Sequence, residues 1–367
     1  MFRTENWRHF DFWLLGMVVL TMIFGVAMIR SAIAGNETLA ELPSRQITWA
    51  SLGFLVILIV SAVDYRLWGG AVRWMYLAVV LFLLLLYFVG GQRFGAARWI
   101  ETGLVSIQPT ELAKIVVIIS LAYYFSRTIE QPRSWWWLLK SLLIAVGIAG
   151  FIYIQPNLSN VIVIMVIWAA MAWLAGLEVR QMIVIGVAGF ALFVLAFFFF
   201  MEPYQQARIY NFLFPDPTAS YGATYNVQQA LIAIGSGGLT GKGYGHGTQT
   251  QLRFMKVRHT DFIFSVIAEE FGFVGALLVI VLLGFIIYRC LRAARMAREP
   301  FGAFLAYGVA ILIFFQSAVN IAVNLNLIPV TGLPLPFISY GGSGLLSLMI
   351  GVGLVESVVM RHKPLDF

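Results

Sequence analysis

Ten long runs of apolar residues constrain the fold of this chain more than any other feature. A run of roughly 17 to 25 apolar residues, wound into a helix, is long enough to cross about 30 Å of hydrocarbon. The chain has 367 residues, of which 60% are hydrophobic and 11% are charged, so it is far more apolar than an ordinary soluble domain. We therefore predict an all-α integral membrane protein with about ten transmembrane helices. The runs lie near residues 12–29, 47–63, 71–90, 110–125, 137–155, 160–176, 180–201, 262–288, 303–325 and 341–360.

The distribution of basic residues predicts the orientation of these helices. Lys and Arg in short loops are retained on the cytoplasmic side, and placing both termini inside puts most of the 24 Lys and Arg residues in inner segments. The short outer loops then hold only Arg30, Arg45, Arg93 and Arg98. We expect residues 1–367 to form one polytopic membrane domain, with a large extracytoplasmic loop, residues 202–261, between the seventh and eighth spans. This topology explains the net charge of +7, so nucleic acid is excluded as a partner.

Asp261 stands where the long outer loop re-enters the membrane, within the stretch RHTDFIFSVIAEE. A carboxylate at a membrane boundary is expensive unless charged or hydroxyl groups accompany it, so it indicates a functional site by default. The alternative is that Asp261 N-caps the following helix, as Asp commonly does. Glu269 and Glu270, about two turns into that helix, are more typical of structural hydrogen-bond partners.

Two ionisable residues of opposite charge lie inside the fourth span. Glu111 and Lys114 are three residues apart, so their side chains share one helix face and can pair. One interpretation is mutual neutralisation that lets the helix insert, and the other is that both residues line a polar cavity. Gln108, Pro109 and Thr110 favour the cavity, because Pro is tolerated in a first turn and the polar residues add hydrogen-bonding groups.

The outer loop has an excess of positive charge. Its cations are Arg208, Lys242, Arg253, Lys256 and Arg258, and its acids are Glu202, Asp216 and Asp261. Residues 228–254 are rich in glycine and include Lys242, and exposed backbone amides can bind phosphate, although the spacing is neither a Walker A nor a Rossmann motif. One alternative is a flexible loop without a ligand. An anionic ligand at the outer leaflet explains the excess charge.

Other classes of site are poorly supported. His259 has no second His or Cys at ligand spacing, and no Gly-x-Ser-x-Gly sequence occurs, which argues against a zinc site and a nucleophile elbow. His259 is at most a contact to a substrate. Glycines and prolines in residues 90–114 and 324–344, the latter around Ser339, predict irregular backbone, which at membrane depth is tolerated where it lines a cavity. For residues 90–114 we expect a re-entrant or interfacial stretch.

Seven motifs along the chain together resemble the SEDS family of bacterial cell-wall polymerases. They are GAARW (95–99), QPTELAK (108–114), IAIGSGG (232–238), GHGTQTQ (245–251), RHTDFIF (258–264), AEEFG (268–272) and GLPLPFISYGGS (332–343). The resemblance extends essentially from end to end. GHGTQTQ and the arginine before HTDFIF are more similar to the elongation member of the family than to the division member. After the fifth span the family usually has QPDLGT, whereas this chain has QPNLSN, so Asn157 replaces an acid and is left out of the site.

The resemblance implies a ten-helix membrane glycosyltransferase that polymerises lipid II into glycan strands at the outer face of the cytoplasmic membrane. It also implies a class B penicillin-binding protein, a transpeptidase, as partner, with lipid II and a polyprenyl-diphosphate-linked glycan as ligands. By the same resemblance, the essential acid corresponds to Asp261, the cavity pair to Glu111 and Lys114, and nearby polar positions to Arg98, Arg208 and Ser339.

The chemistry of this reaction agrees with the outer residues. A sugar hydroxyl attacks an anomeric carbon while a diphosphate departs, so the site needs a base, for which Asp261 is the candidate. Arg208, Lys242, Arg258 or a divalent cation such as Mg or Mn would offset the negative charge that develops on the diphosphate. A lipid-linked precursor flippase, a division-type polymerase and a non-catalytic scaffold for the transpeptidase are the alternatives.

Overall fold

Long apolar helices dominate the protein. The computed structural model describes residues 4–89, 91–93, 96–101, 106–216 and 222–362. The first seven long helices are α1 (Phe12–Ala32), α2 (Leu42–Ala62), α3 (Tyr65–Val89), α4 (Pro109–Arg127), α5 (Trp135–Ile154), α6 (Leu158–Leu174) and α7 (Val179–Phe199). Three shorter helices follow, α8 (Pro203–Leu213), α9 (Gly222–Gly237) and α10 (Thr248–Gln251), and then α11 (Ile263–Met296), α12 (Pro300–Asn324) and α13 (Gly342–Met360).

The predicted all-α membrane fold with about ten transmembrane helices is confirmed. Of the described helices, nine are long and apolar enough to cross a membrane, and the apolar helix α6 has 17 residues. Some bounds differ from the prediction: α3 begins at Tyr65 and α11 extends to Met296. The extension of α11 carries several arginines, because cations stabilise the C-terminal end of a helix and keep that end in water or headgroups.

The helix bundle has a buried centre and an apolar exterior. The helices α4 and α13 are mostly buried, and α13 packs against α2, α12 and α4. In α7, by contrast, Gln181 is the one buried residue. Apolar side chains can face outward along a membrane helix, because lipid tails are as apolar as they are.

Short strands form part of the connection between α3 and α4. They are β1 (Gly91–Arg93), β2 (Ala96–Glu101) and β3 (Ser106–Ile107), and they pair in an antiparallel sheet in that order. This small sheet is found where we expected a re-entrant or interfacial stretch. Pro109 then starts α4, as predicted for a residue whose missing N–H needs no partner in a first turn.

The described part of the outer loop is mostly helical. Within residues 202–261, α8 begins with a reciprocal capping box between Glu202 and Gln205, an arrangement that satisfies two backbone N–H groups at the helix start. The helix α9 packs against α11. The described residues of this segment therefore include three helices, one of which packs on the bundle.

A kink in α11 fastens the outer loop to the bundle. Gly272 has φ 64° and ψ −158°, a conformation that is essentially restricted to glycine. The broken helix leaves backbone groups free to pair with the turn at residues 238–243. The amides of Lys242 and Gly243 donate to the carbonyls of Glu269 and Glu270 (3.0 and 2.9 Å), and the amides of residues 273 and 274 donate to carbonyls of residues 238 and 239 (2.9 and 3.1 Å).

Candidate active site

Asp261 lies immediately before α11, and its side chain does not cap that helix. The N-cap residue of α11 is Phe262, and no side-chain hydrogen bond caps the start of this helix. The N-cap interpretation of Asp261 is therefore wrong. The residue as a whole is partly exposed, and a Cβ built at Gly332 would be in ordinary contact with Asp261 Oδ2, at 3.8 Å.

Two asparagines at the end of α12 fix the backbone at this position. Asn320 and Asn324 each donate from Nδ2 to the carbonyl of Asp261, at 3.0 and 2.9 Å. Asn324 Oδ1 also accepts from the amide of Ser265 at 3.0 Å, so it satisfies one of the free N–H groups at the start of α11. Because Asn324 supplies this acceptor, the Asp261 carboxylate remains available for other chemistry.

The sequence analysis missed these two asparagines. They stand four residues apart in the apolar sequence of α12, so they share one helix face, and polar residues within a membrane helix usually face a functional or structural polar site. Asn320 also donates to the carbonyl of Leu333 at 2.8 Å. It therefore ties Asp261 to the irregular segment that follows α12.

Ser339 holds that irregular segment against Asp261. Its hydroxyl donates to the carbonyl of Thr260 at 2.6 Å and accepts from the amide of Leu335 at 2.9 Å. The amide of Tyr340 donates to the carbonyl of His259 at 3.0 Å. The structure thus places Ser339 against the backbone of Thr260, next to Asp261 in the chain, with the Ser339 hydroxyl engaged by two backbone groups.

Arg208 on α8 provides positive charge near the acid. Its Nη1 donates to the carbonyls of Val330 and Thr331 at 3.3 and 3.4 Å. Burial raises the pKa of Asp261 to about 6, while the Arg208 guanidinium and a hydrogen bond from Thr260 oppose the increase. The pKa is therefore close to the neutral range that suits a general base.

Residues at the start of α6 also reach this segment. Ser159 donates from Oγ to the carbonyl of Thr331 at 2.6 Å, the same carbonyl that Arg208 contacts. Asn160 donates to Thr110 Oγ1 at 3.3 Å. Asn157 is the N-cap residue of α6, and its side chain makes no capping hydrogen bond. The QPNLSN departure from the family pattern therefore lies beside the candidate site.

The Glu111–Lys114 pair predicted from sequence spacing is present and buried. Lys114 Nζ lies 2.7 Å from Glu111 Oε1, and the Lys114 side chain is almost completely buried. Ser347 on α13 donates to the Glu111 carbonyl at 2.6 Å. A buried ion pair is destabilised by the loss of water and is tolerated when both ions remain paired. The pair therefore neutralises two charges within α4, and the Ser347 hydrogen bond joins the start of α4 to α13.

Lys242 lies in a cluster of its own with Glu269 of α11. Its ammonium group lies 2.9 Å from Glu269 Oε1 and donates to Thr248 Oγ1 at 2.8 Å. Glu269 also accepts from the amides of residues 249 and 250, at 2.8 and 3.2 Å, which belong to the first turn of α10. The cluster therefore holds the GHGTQTQ segment on α11, and the sequence did not indicate this partner for Lys242.

Arg258, His259 and Arg98, the remaining predicted substrate contacts, lie in three different environments. Arg258 is buried and donates to the carbonyls of Ala32, at the end of α1, and of Met255. His259 Nδ1 has no hydrogen-bond partner among the described residues, and burial followed by the charge of Arg258 lowers the pKa of His259. His259 is therefore a neutral hydrogen-bonding group. Arg98 belongs to β2, and its side chain lies outside the described part of the structure.

A divalent cation would find few protein ligands here. Among the described residues, no three His, Cys, Asp or Glu side chains gather at one place. Asp261 would supply one carboxylate oxygen. Such a donor set fits Mg²⁺, which commonly takes one or two carboxylates and obtains its other ligands from water and substrate phosphates.

These features define a class of protein, namely a polytopic membrane protein with a carboxylate where a folded cationic segment joins a long apolar helix. A family model described as "Cell cycle protein", which covers FtsW, RodA and SpoVE, matches residues 8–364. The chain belongs to this family, and the resemblance to the SEDS family is confirmed.

Similar proteins with curated names include both branches of the family. The peptidoglycan glycosyltransferase MrdB of Escherichia coli K12 is 35% identical over 362 residues, which cover 98% of this chain and 95% of MrdB. The probable peptidoglycan glycosyltransferase FtsW of Haemophilus influenzae is 33% identical over 362 residues, covering 96% of this chain and 90% of that protein.

Solved structures share the same fold. The crystal structure of Thermus thermophilus rod shape determining protein RodA aligns with a TM-score of 0.72 and 30% identity, covering 96% of this chain and 98% of that chain. A chain from a peptidoglycan synthase complex that coordinates polymerization and crosslinking aligns with a TM-score of 0.80 and 29% identity, covering 96% and 98%.

Proposed function

We propose that this protein is a peptidoglycan glycosyltransferase that polymerises lipid II into glycan strands during cell elongation, with Asp261 as the general base. Relatives that carry the name peptidoglycan glycosyltransferase support the reaction class. The observation that supports Asp261 as the base is the set of contacts around it. Two asparagines hold its backbone, and its carboxylate is not used to cap α11.

Asp261 takes the proton from the acceptor hydroxyl as that oxygen attacks the anomeric carbon of the donor sugar. With a pKa of about 6, the carboxylate is mostly ionised at neutral pH and is more basic than an exposed aspartate. The C–O bond to the diphosphate breaks in the same step, and the bonding electrons leave with the diphosphate. A second acid is not required, because a diphosphate leaves without protonation, unlike a glycosidic oxygen.

Arg208 is the cation that we assign to the developing charge on the diphosphate. It is the basic residue whose charge acts on Asp261, and electrostatic stabilisation of a leaving group is usually a large term in catalysis. Lys242 and Arg258 are held in contacts of their own, so we assign them to the architecture of the outer segment. The neutral His259 is a candidate hydrogen-bond partner for the sugar, and Glu111 and Lys114 are candidates for the wall of the cavity.

Topology and partner belong to the same proposal. The basic residues support cytoplasmic termini and an extracytoplasmic site, where lipid II presents its headgroup. A similar chain works in a synthase complex that couples polymerization to crosslinking. We therefore propose a class B penicillin-binding protein as the transpeptidase partner.

The test compares two acids of the same outer segment in purified full-length protein, with and without the partner transpeptidase. Asp261→Asn abolishes glycan polymer from lipid II, whereas the matched control Asp216→Asn leaves it unchanged. Polymer formation by Asp261→Asn at the wild-type rate would exclude Asp261 as the base. Translocation of lipid II across protein-containing vesicles without any polymer would instead support the flippase alternative. Repeating the assay with a chelator measures whether a divalent cation takes part.

A further inference from the structure

The far end of α11 from Asp261 borders a large cavity of about 640 Å³. This volume is within the usual range for small-molecule sites. The cavity opens where α4, α6 and α11 end and α12 begins. Its lining includes Arg295 and Arg298 together with Leu174, Leu291, Phe304 and Tyr307. A helix of 34 residues separates this place from the candidate active site, so the cavity is not part of that site.

The cavity changes from polar to apolar with depth. Arg295 is in the last turn of α11 and Arg298 follows that helix, and both side chains are exposed. Leu291 is one turn deeper on α11, and Tyr307 lies seven residues beyond Pro300, about 10 Å further along α12. The basic groups therefore lie at the mouth, and aliphatic and aromatic side chains form the interior. A ligand that fits both zones is an amphiphile.

The charge at the mouth is uncompensated. Within the part of the chain that the structure describes, neither Arg295 nor Arg298 has a hydrogen bond or an ion pair. Glu299 also borders the cavity, but its carboxylate is engaged by Arg66, whose Nε and Nη2 each lie 2.9 Å from Oε1. Two free guanidinium groups at one opening favour an anion, and guanidinium groups suit phosphate oxygens in particular.

We propose that this cavity binds an anionic phospholipid of the leaflet opposite the active site. The lipid phosphate lies between Arg295 and Arg298, and one acyl chain follows the apolar wall formed by Leu291, Phe304 and Tyr307. Basic pockets between transmembrane helices are known to bind anionic headgroups on the cytoplasmic side, which is the side that the basic residues predict for this end of α11. A free phosphate would use the two arginines but would leave the apolar interior unfilled.

The experiment measures binding of a fluorescent phosphatidylglycerol to the purified full-length protein in a neutral detergent. The double variant Arg295→Gln/Arg298→Gln weakens binding on the order of 10-fold, because each cation near a lipid phosphate contributes appreciably to affinity. The matched control Arg292→Gln changes it less than about twofold, since Arg292 is an exposed arginine of α11 that does not border the cavity. Ala303→Trp fills the interior and also weakens binding, with both arginines intact.

Competition distinguishes a lipid from a soluble anion. Unlabelled phosphatidylglycerol displaces the probe, whereas phosphatidylcholine and inorganic phosphate at the same concentration do not. The proposal is overturned if inorganic phosphate competes equally well, or if Arg292→Gln weakens binding as much as the double variant does. It is also overturned if neither the double variant nor Ala303→Trp has an effect. Thermal melting of each variant confirms that a loss of binding is not a loss of fold.

Discussion

The attachment of the outer loop to α11 makes Gly272→Ala a strongly destabilising substitution. An alanine Cβ at this position would lie 2.5 Å from the carbonyl carbon of Leu239, and the neighbouring atoms are backbone that cannot rotate away. The φ and ψ values are also restricted to glycine, which adds roughly 1–3 kcal/mol. Four backbone hydrogen bonds depend on the kink, at about 0.5–1.5 kcal/mol each. We expect a total loss of about 3 kcal/mol or more.

Gly284→Ala on the same helix is the matched control. No atom lies within 4 Å of a Cβ built at Gly284, and replacing a helical glycine by alanine stabilises by roughly 0.5–1 kcal/mol. Thermal unfolding and limited proteolysis of residues 238–261 measure the difference. The Gly272 variant should melt several degrees lower and be cleaved faster in this segment. Equal melting and equal cleavage of the two variants would refute the claim that the loop depends on the kink.

Three further predictions concern polar groups of the candidate site and of the helices around it. Polymerisation should slow as the pH falls below about 6, because protonated Asp261 cannot act as a base. In Arg208→Gln the rate should begin to fall at a higher pH, since the variant loses a positive charge that lowers the Asp261 pKa. An unshifted pH profile would argue against this coupling. Lys114→Met leaves Glu111 charged and buried, so it should cost about 3–5 kcal/mol, and adding Glu111→Gln should restore most of the melting temperature. Asn324→Leu leaves a helix-start amide unpaired and should cost about 1–3 kcal/mol, measured by thermal unfolding; a wild-type melting temperature would show that Asn324 is dispensable.

The membrane fold could be predicted from the sequence because it depends on local composition. Each span is a continuous apolar run, and the Glu111–Lys114 pair follows from their separation by one helical turn. The family resemblance also assigns the essential acid to Asp261. These inferences need no knowledge of which helices are neighbours.

The partners of the remaining polar residues could not be predicted, because they come from distant parts of the chain. Arg258 binds the end of α1, Lys242 binds Glu269, and Asn324 accepts a hydrogen bond from the Ser265 amide of α11. The motif AEEFG does not predict the kink at Gly272, since glycine is common within transmembrane helices. Each of these contacts depends on helix packing, which lipid-facing and protein-facing apolar surfaces do not reveal in sequence.

The initial rate of glycan polymerisation by Asp261→Asn tests the central claim most directly. Asparagine keeps the size and backbone contacts of the aspartate but cannot accept the proton, so the rate should fall by roughly 100-fold or more. The melting temperature and the binding of the transpeptidase should stay at wild-type values. A variant that makes polymer of normal length within about threefold of the wild-type rate would contradict the role of Asp261 as the base.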